Sequence, residues 1–290
     1  MARTANQTDN YNYTVESVKL LTPEGEESGW FGNRRTDDGS ILGICTEQYN
    51  IVQNKDIFGK ADEAIADRGL TPTSKRVVVS DGGAKVRGIY DFSNEVKKVK
   101  SVGDDMGFRL IVNNSFDRSL RISFQLGLLR LVCTNGMTTL EKEFDLTKKH
   151  SAQCKLDELL TDDNLDKAFN RFEASLGVYD RLAQVNIKQE EGLNVLQRLA
   201  KANTISEKLR EGIANIWNNP TYKEDKARNL YNLNNAVTQY VTENVAEERF
   251  EYANRINNQV LRSFNRAATN NAQFKKLTSA LPVAALVANN

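Results

Sequence analysis

The residues with most chemical potential in this chain are cations set into strand-like stretches. Lys75 and Arg76 open one stretch, and Lys85 and Arg87 share a face of the next. Arg109, Arg118, Arg121 and Arg130 belong to a third pair of stretches, and Tyr90, Phe92, Phe108, Phe116 and Phe124 are interleaved with them. Cations neutralise phosphates and exposed aromatic faces stack on bases, which together make a groove for single-stranded nucleic acid. Alternation puts Phe108 and Phe124 in a core, leaving Phe116, in a turn, as the exposed stacking residue. Arg121 and Gln125 fall on the strand face opposite the apolar row Leu120, Ile122, Phe124. The same residues would equally make an ordinary sheet with one solvated face.

Other chemistries find less support. The formal net charge of +1 neither favours nor excludes a polyanionic partner, because a local basic face binds phosphates in a neutral protein. Phosphate-loop, dinucleotide, CxxC, HExxH and EF-hand patterns are absent, so no cofactor is expected. The pairs Asp37-Asp38, Asp104-Asp105 and Asp162-Asp163 read as turns or helix caps. A metal-dependent nuclease would need such carboxylates to converge on one ion, with Asp37 or Asp117 among them. His150 is the only histidine, which excludes a His-rich metal site, and its Lys-Lys-His-Ser setting reads as exposed. The three cysteines, Cys45, Cys133 and Cys154, make a poor disulfide framework, so a reducing cytoplasm is the simpler setting. Cys45 and Cys133 read as small core residues. The N-terminus lacks a signal-peptide core, and no apolar run is long enough to span a bilayer.

The elements that must position these residues are hairpins followed by helices, an α+β pattern. Residues 1–29 read as a flexible arm and loop with an edge strand near Tyr13 to Leu21. An α+β domain is expected over 30–150, a helical region packed on it over 151–276, and a tail over 277–290. Trp30 and Phe31 are expected to anchor the chain to the core. Asp38-Gly39 closes one hairpin, and Asn54 is expected to cap a helix through Ile57, Phe58, Ala61 and Ile65 that ends at Gly69. Asp81-Gly82-Gly83 turns a second hairpin, and Glu95 to Asp105 reads as a polar connection. The strand from Arg118 changes phase after Gly127, which predicts either a bulge there or burial of both faces beyond it. A helix is expected from Asp162 or Asp163 through Leu165, Ala168, Phe169, Phe172 and Leu176. Others are expected around Leu193 to Ala200 and Leu209 to Trp217, and a long one from Asp225 towards Phe264. The last carries a polar face rich in Asn and Arg, including Arg228, Asn229, Asn232, Asn234 and Asn235.

Three segments together resemble one family. Arg35 to Phe58 looks like its hairpin, Tyr, Val-Gln-Asn turn and helix. Leu129-Arg-Leu-Val-Cys-Thr-Asn-Gly-Met137 resembles its central segment, and Asn229 to Thr242 its late Tyr-Asn-Ala-Val-Thr helix. The family is the DUF932 group of phage- and plasmid-associated proteins. Phe116-Asp117-Arg118 stands where the family commonly has a His-Asp-Gly turn, and Glu243 where a histidine often follows the late helix motif. The resemblance thus implies a mobile-element protein in the host cytoplasm without a histidine-dependent active site. The function expected is a DNA-metabolism accessory that binds single strands, such as a recombination or annealing protein, as a homo-oligomer and without a membrane. The alternatives are a protein-interaction module and a divergent metal-dependent nuclease.

Overall fold

The computed structural model describes residues 11–131, 136–137, 145–151 and 176–281, with the single positions 156, 158, 161, 164 and 167. Cys133, Cys154 and most of the helix expected from Asp162 fall outside them. The chain is α+β. It divides into two compact units, one of residues 1–94, 108–127 and 141–171, the other of 95–107, 128–140 and 172–290.

The first unit opens with a three-stranded antiparallel sheet of β1 (Val15–Leu21), β2 (Glu27–Arg35) and β3 (Ile41–Cys45), in that order. Side chains alternate across such a sheet. Val15, Asn33 and Cys45 therefore point inward and are buried, while Trp30, Arg34 and Ile44 stay exposed on the other face. Trp30 is 47% exposed and does not anchor the core. It shares parity with the outward Arg34, whereas its neighbour Phe31 is half-buried.

Helix α1 (Asn54–Asp67) buries Ile57, Phe58, Ala61 and Ile65, one stripe at helical spacing. Gln53 is its N-cap, not Asn54. Asn54 is instead buried, and its amide donates to Tyr11 O at 2.9 Å. Gly69, at φ +63°, ends the helix in a conformation costly for other residues.

Strands β4 (Ser74–Ser80), β5 (Lys85–Val99), β6 (Asp104–Ser115), β7 (Ile122–Arg130), β8 (Gly136–Met137) and β9 (Asp145–Lys148) form a six-stranded sheet. Consecutive strands pair from β4 to β8, and β9 pairs with β7. The stretch expected as a polar connection is thus the end of β5 and the start of β6. Val99 and Met106 are fully buried there, which fixes the chain as strand despite its lysines. Phe58 of α1 lies over Gly88, where any Cβ would come within 2.2 Å of its ring. On the same sheet face Phe92 stacks on Phe108 at 4.2 Å. Each such apolar side chain contributes about 1.5–3 kcal/mol by leaving water. β7 runs as one strand, and Leu126 to Arg130 are all buried, so burial of both faces accounts for the phase change.

The second unit holds six helices among its described residues: α2 (residues 176–184), α3 (Gln189–Lys201), α4 (Glu207–Asn218), α5 (Leu230–Asn244), α6 (Phe250–Thr269) and α7 (Asn271–Thr278). The long late helix is two helices, broken at Val245, whose extended backbone ends α5. α5 is buried almost all round, and Asn232, Asn234 and Asn235 are inside, not on a solvated face. Asn232 donates to the Ala227 carbonyl at 2.8 Å, and Asn235 joins a buried polar cluster. Arg130 contacts Asp104 at 2.6 Å and Asp225 at 2.9 Å. Tyr231 donates to Asp104 at 2.8 Å, and Asn235 to Asp225 at 2.9 Å. Arg130 is 1% exposed, so each charge depends on these partners for the solvation it has lost.

Candidate functional site

The basic residues picked out in the sequence separate into four places, one of them the buried cluster that holds Arg130. Arg76 faces Ile89, Arg87 faces Val78 and Lys85 faces Ser80 across the β4–β5 pair, so all three lie on one sheet face. Arg109 joins that face through its pair with Asp91 (2.9 Å between Nη2 and Oδ2). Gln125 joins it through Asn113, whose amide donates to Gln125 at 3.3 Å and to Ser123 at 2.9 Å. Two of these charges already have carboxylate partners: Lys85 is 3.0 Å from Asp81, and Arg109 holds Asp91. Arg87 is only 5% exposed. Burial, with Arg109 close by, pushes the Arg76 pKa below its ordinary value. Lys75 is on the opposite face, 2.8 Å from Asp62 and over the Tyr90 ring.

Arg118 and Arg121 go elsewhere, to a groove of about 520 Å³ in the first unit. Its cations are Arg118, Arg121 and Lys149, all exposed, and its aromatic members are Trp30, Tyr49 and His150. No Asp or Glu lines it. None of the three cations pairs with a carboxylate among the described residues.

The turn that carries Arg118 is held from several sides. Phe116 is 0% exposed, so it pins the turn to the core and offers no stacking face. The reason is long-range. Asn33 donates to Phe116 O at 2.6 Å, and Gly43 of β3 lies so close that a Cβ would be 2.6 Å from Asp117 Cα. Tyr49 donates its hydroxyl to Ser115 O at 2.7 Å. Asp117 accepts from Ser119 N at 2.9 Å, and Arg118 takes φ +69°, a left-handed conformation that non-glycine residues rarely adopt. Such strain persists only where surrounding contacts enforce it.

His150 is buried, not exposed. Its ring stacks on Tyr49 at 4.9 Å with 15° between planes. Nδ1 lies 3.2 Å from Asn50 O, so it carries the proton and donates, and Nε2 is a buried acceptor with no partner. Burial holds its pKa down at about 4, with the Asn50 carbonyl and Asp117 opposing. The ring is therefore neutral at pH 7, and the groove's charge comes from Arg118, Arg121 and Lys149 alone. Burial likewise raises the Tyr49 hydroxyl far above its usual range.

Among the described residues no group of three or more His, Cys, Asp or Glu side chains is placed to hold a metal ion. Asp37 pairs with Arg35 at 2.6 Å, and that contact lowers its pKa. No described helix is long and apolar enough to cross a membrane.

The family described as "Domain of unknown function (DUF932)" matches residues 41–280, most of the chain. The chain belongs to the DUF932 family. No curated protein and no solved structure matches it. The two later segments that carry the likeness meet in the buried polar cluster: Arg130 comes from the central segment, and Tyr231 and Asn235 from the late helix. The family signature of this DUF932 member is therefore, in those parts, a signature of its core. The groove residues Trp30, Tyr49 and Lys149 were not read from the sequence as site residues. Strand parity alone would have turned Trp30 outward.

Proposed function

We propose that this DUF932 protein binds single-stranded nucleic acid through the groove of Trp30, Arg118, Arg121 and Lys149, as an accessory in DNA metabolism such as recombination or annealing. The observation that carries the reading is an exposed indole beside three exposed cations, with no carboxylate in the lining. Cations track a phosphate backbone, and an aromatic face stacks on any base, so this pairing suits a strand whose bases are free. A duplex hides those faces, so single strands should bind more tightly. Tyr49 and His150 stiffen the floor, and the enforced turn holds Arg118 ready.

The test is fluorescence anisotropy with single- and double-stranded oligonucleotides across a salt series. Trp30→Ala should cost about 1–3 kcal/mol of single-strand affinity. Arg121→Ala should lower the salt slope by about 1. No binding at low salt, or binding unchanged in both variants, would overturn the reading. Lys85→Ala tests whether the sheet face also contributes. Its pairing with Asp81 argues for a smaller loss than from Arg121.

A second reading has an observation of its own. Leu21, Ile41 and Ile44 are exposed on the three-stranded sheet along with Trp30, as on a surface that docks a protein partner. On that reading Ile44→Glu abolishes a partner interaction and leaves oligonucleotide affinity unchanged.

A further inference from the structure

From Tyr252 to Asn290 the sequence contains no Asp or Glu, yet it carries Arg255, Arg262, Arg266, Lys275 and Lys276. Between Gly192 and Ile205 there is likewise no acid, and Arg198 and Lys201 stand there. The fold of the second unit brings these two acid-free stretches together. They line a cavity of about 420 Å³ between the ends of α3, α6 and α7.

Four of its lining residues are cations: Arg198, Lys201, Arg266 and Lys276. No lining residue is a carboxylate. Thr204, Ser263 and Gln273 add neutral hydrogen-bonding groups, and Leu199, Leu277 and Leu281 give it apolar walls. Arg198 is committed to shaping the pocket. Its Nε donates to Ser279 O at 2.9 Å, and its Nη2 donates to Ser279 Oγ at 2.8 Å and to Ala280 O at 3.1 Å. Arg266 and Lys276 are exposed at the rim.

Basic residues in last turns also complement helix dipoles, and Arg198, Lys201, Arg266 and Lys276 all sit in last turns. That role needs each cation only near its own helix. It does not call for cations from three helix ends to line one cavity with no carboxylate in its wall, a setting that favours an anion. A small pocket with apolar walls and a few convergent polar groups is the usual form of a small-ligand site.

The geometry points to a binding site for a phosphate-bearing ligand of nucleotide size at the α3–α6–α7 pocket. The phosphate meets Arg266 and Lys276, with Arg198 holding the wall, and the apolar remainder lies against Leu199 and Leu277. A free nucleotide and one nucleotide of a bound strand share this chemistry.

The test is isothermal titration of the full chain at low salt with dTMP and with inorganic pyrophosphate, followed by competition with an oligo-dT strand. Arg266→Gln and Lys276→Gln should each weaken dTMP binding about tenfold, the loss of one charge-assisted hydrogen bond. Both positions are exposed, so melting temperatures should change little, and repeating the titrations in a Trp30→Ala background separates this pocket from the Trp30 groove, because the tenfold losses at Arg266 and Lys276 should persist there. Displacement of dTMP by oligo-dT assigns the pocket to a strand, and no displacement assigns it to a free nucleotide. Either outcome upholds phosphate recognition. If neither dTMP nor pyrophosphate binds, or if dTMP binds equally to both glutamine variants, the cations serve only the helix ends and the site does not exist.

Discussion

Acidification should weaken the fold through His150, and the size of the effect can be worked out. The ring is 9% exposed, and burial holds its pKa at about 4, against 6.5 in an unfolded chain. Between these values the unfolded chain binds a proton that the folded chain refuses. Stability is therefore fully present above 6.5 and is lost as pH falls towards 4. At about 1.4 kcal/mol per pH unit, the loss from this one group reaches about 2 kcal/mol by pH 5 and about 3 kcal/mol by pH 4. Carboxylates titrate in the same range, so the contrast must be made against a chain that lacks only this proton site. His150→Asn keeps a donor for the Asn50 carbonyl and cannot titrate. Urea unfolding of both proteins from pH 7.5 to pH 4 gives two stability curves. Any packing lost by the substitution offsets the variant's curve uniformly. The difference between the curves should stay constant above pH 7 and then shift in the variant's favour by the amounts above. Parallel curves would refute the reasoning, because they would mean that the ring is solvated and free to charge.

Further outcomes follow from the geometry. Arg130→Met should destabilise the protein by about 3–5 kcal/mol in urea unfolding, since it leaves Asp104 and Asp225 buried without their cation. Phe116→Ala should cost about 3–5 kcal/mol as a core cavity, whereas Trp30→Ala should shift stability by less than about 0.5 kcal/mol, which calorimetry can separate. Gly43→Ala should lower the melting temperature and loosen the Arg118 turn, because its Cβ would meet backbone and not a side chain that can swing away. The same change at Gly88 meets the Phe58 ring and should cost about 1–3 kcal/mol.

What the sequence made legible was local. The Asp81-Gly82-Gly83 turn, the stripe Ile57, Phe58, Ala61 and Ile65, and the α+β order all follow from short-range pattern. The misreadings came from distant contacts. Phe116 sits in a turn, and contacts from Tyr13, Asn33 and Gly43, more than 70 residues away, show why it is inside. His150 lies among lysines and is buried because Tyr49 and Asn50 cover it. The Asn-rich face of α5 looks solvated until Asp225 supplies a partner for Asn235 and the Glu224 and Ala227 carbonyls supply partners for Asn232. The groove itself joins residues from β2, the segment after β3, the β6–β7 turn and the segment after β9, which no linear spacing announces.

The buried cluster around Arg130 also bears on how the chain is made. Its members arrive in the order Asp104, Arg130, Asp225, Tyr231, and the Tyr231–Asp104 bond closes a separation of 127 residues. During synthesis Arg130 emerges long before its second carboxylate, so the strand that carries it cannot be sealed until α5 has left the ribosome. A fragment beginning at residue 151 would hold Asp225 and Tyr231 but neither Asp104 nor Arg130. In such a fragment Asp225 would lose the Arg130 cation and Tyr231 the Asp104 acceptor. Closing this cluster waits on segments as far apart as residues 104 and 231, so the unit that holds it can be completed only late in synthesis.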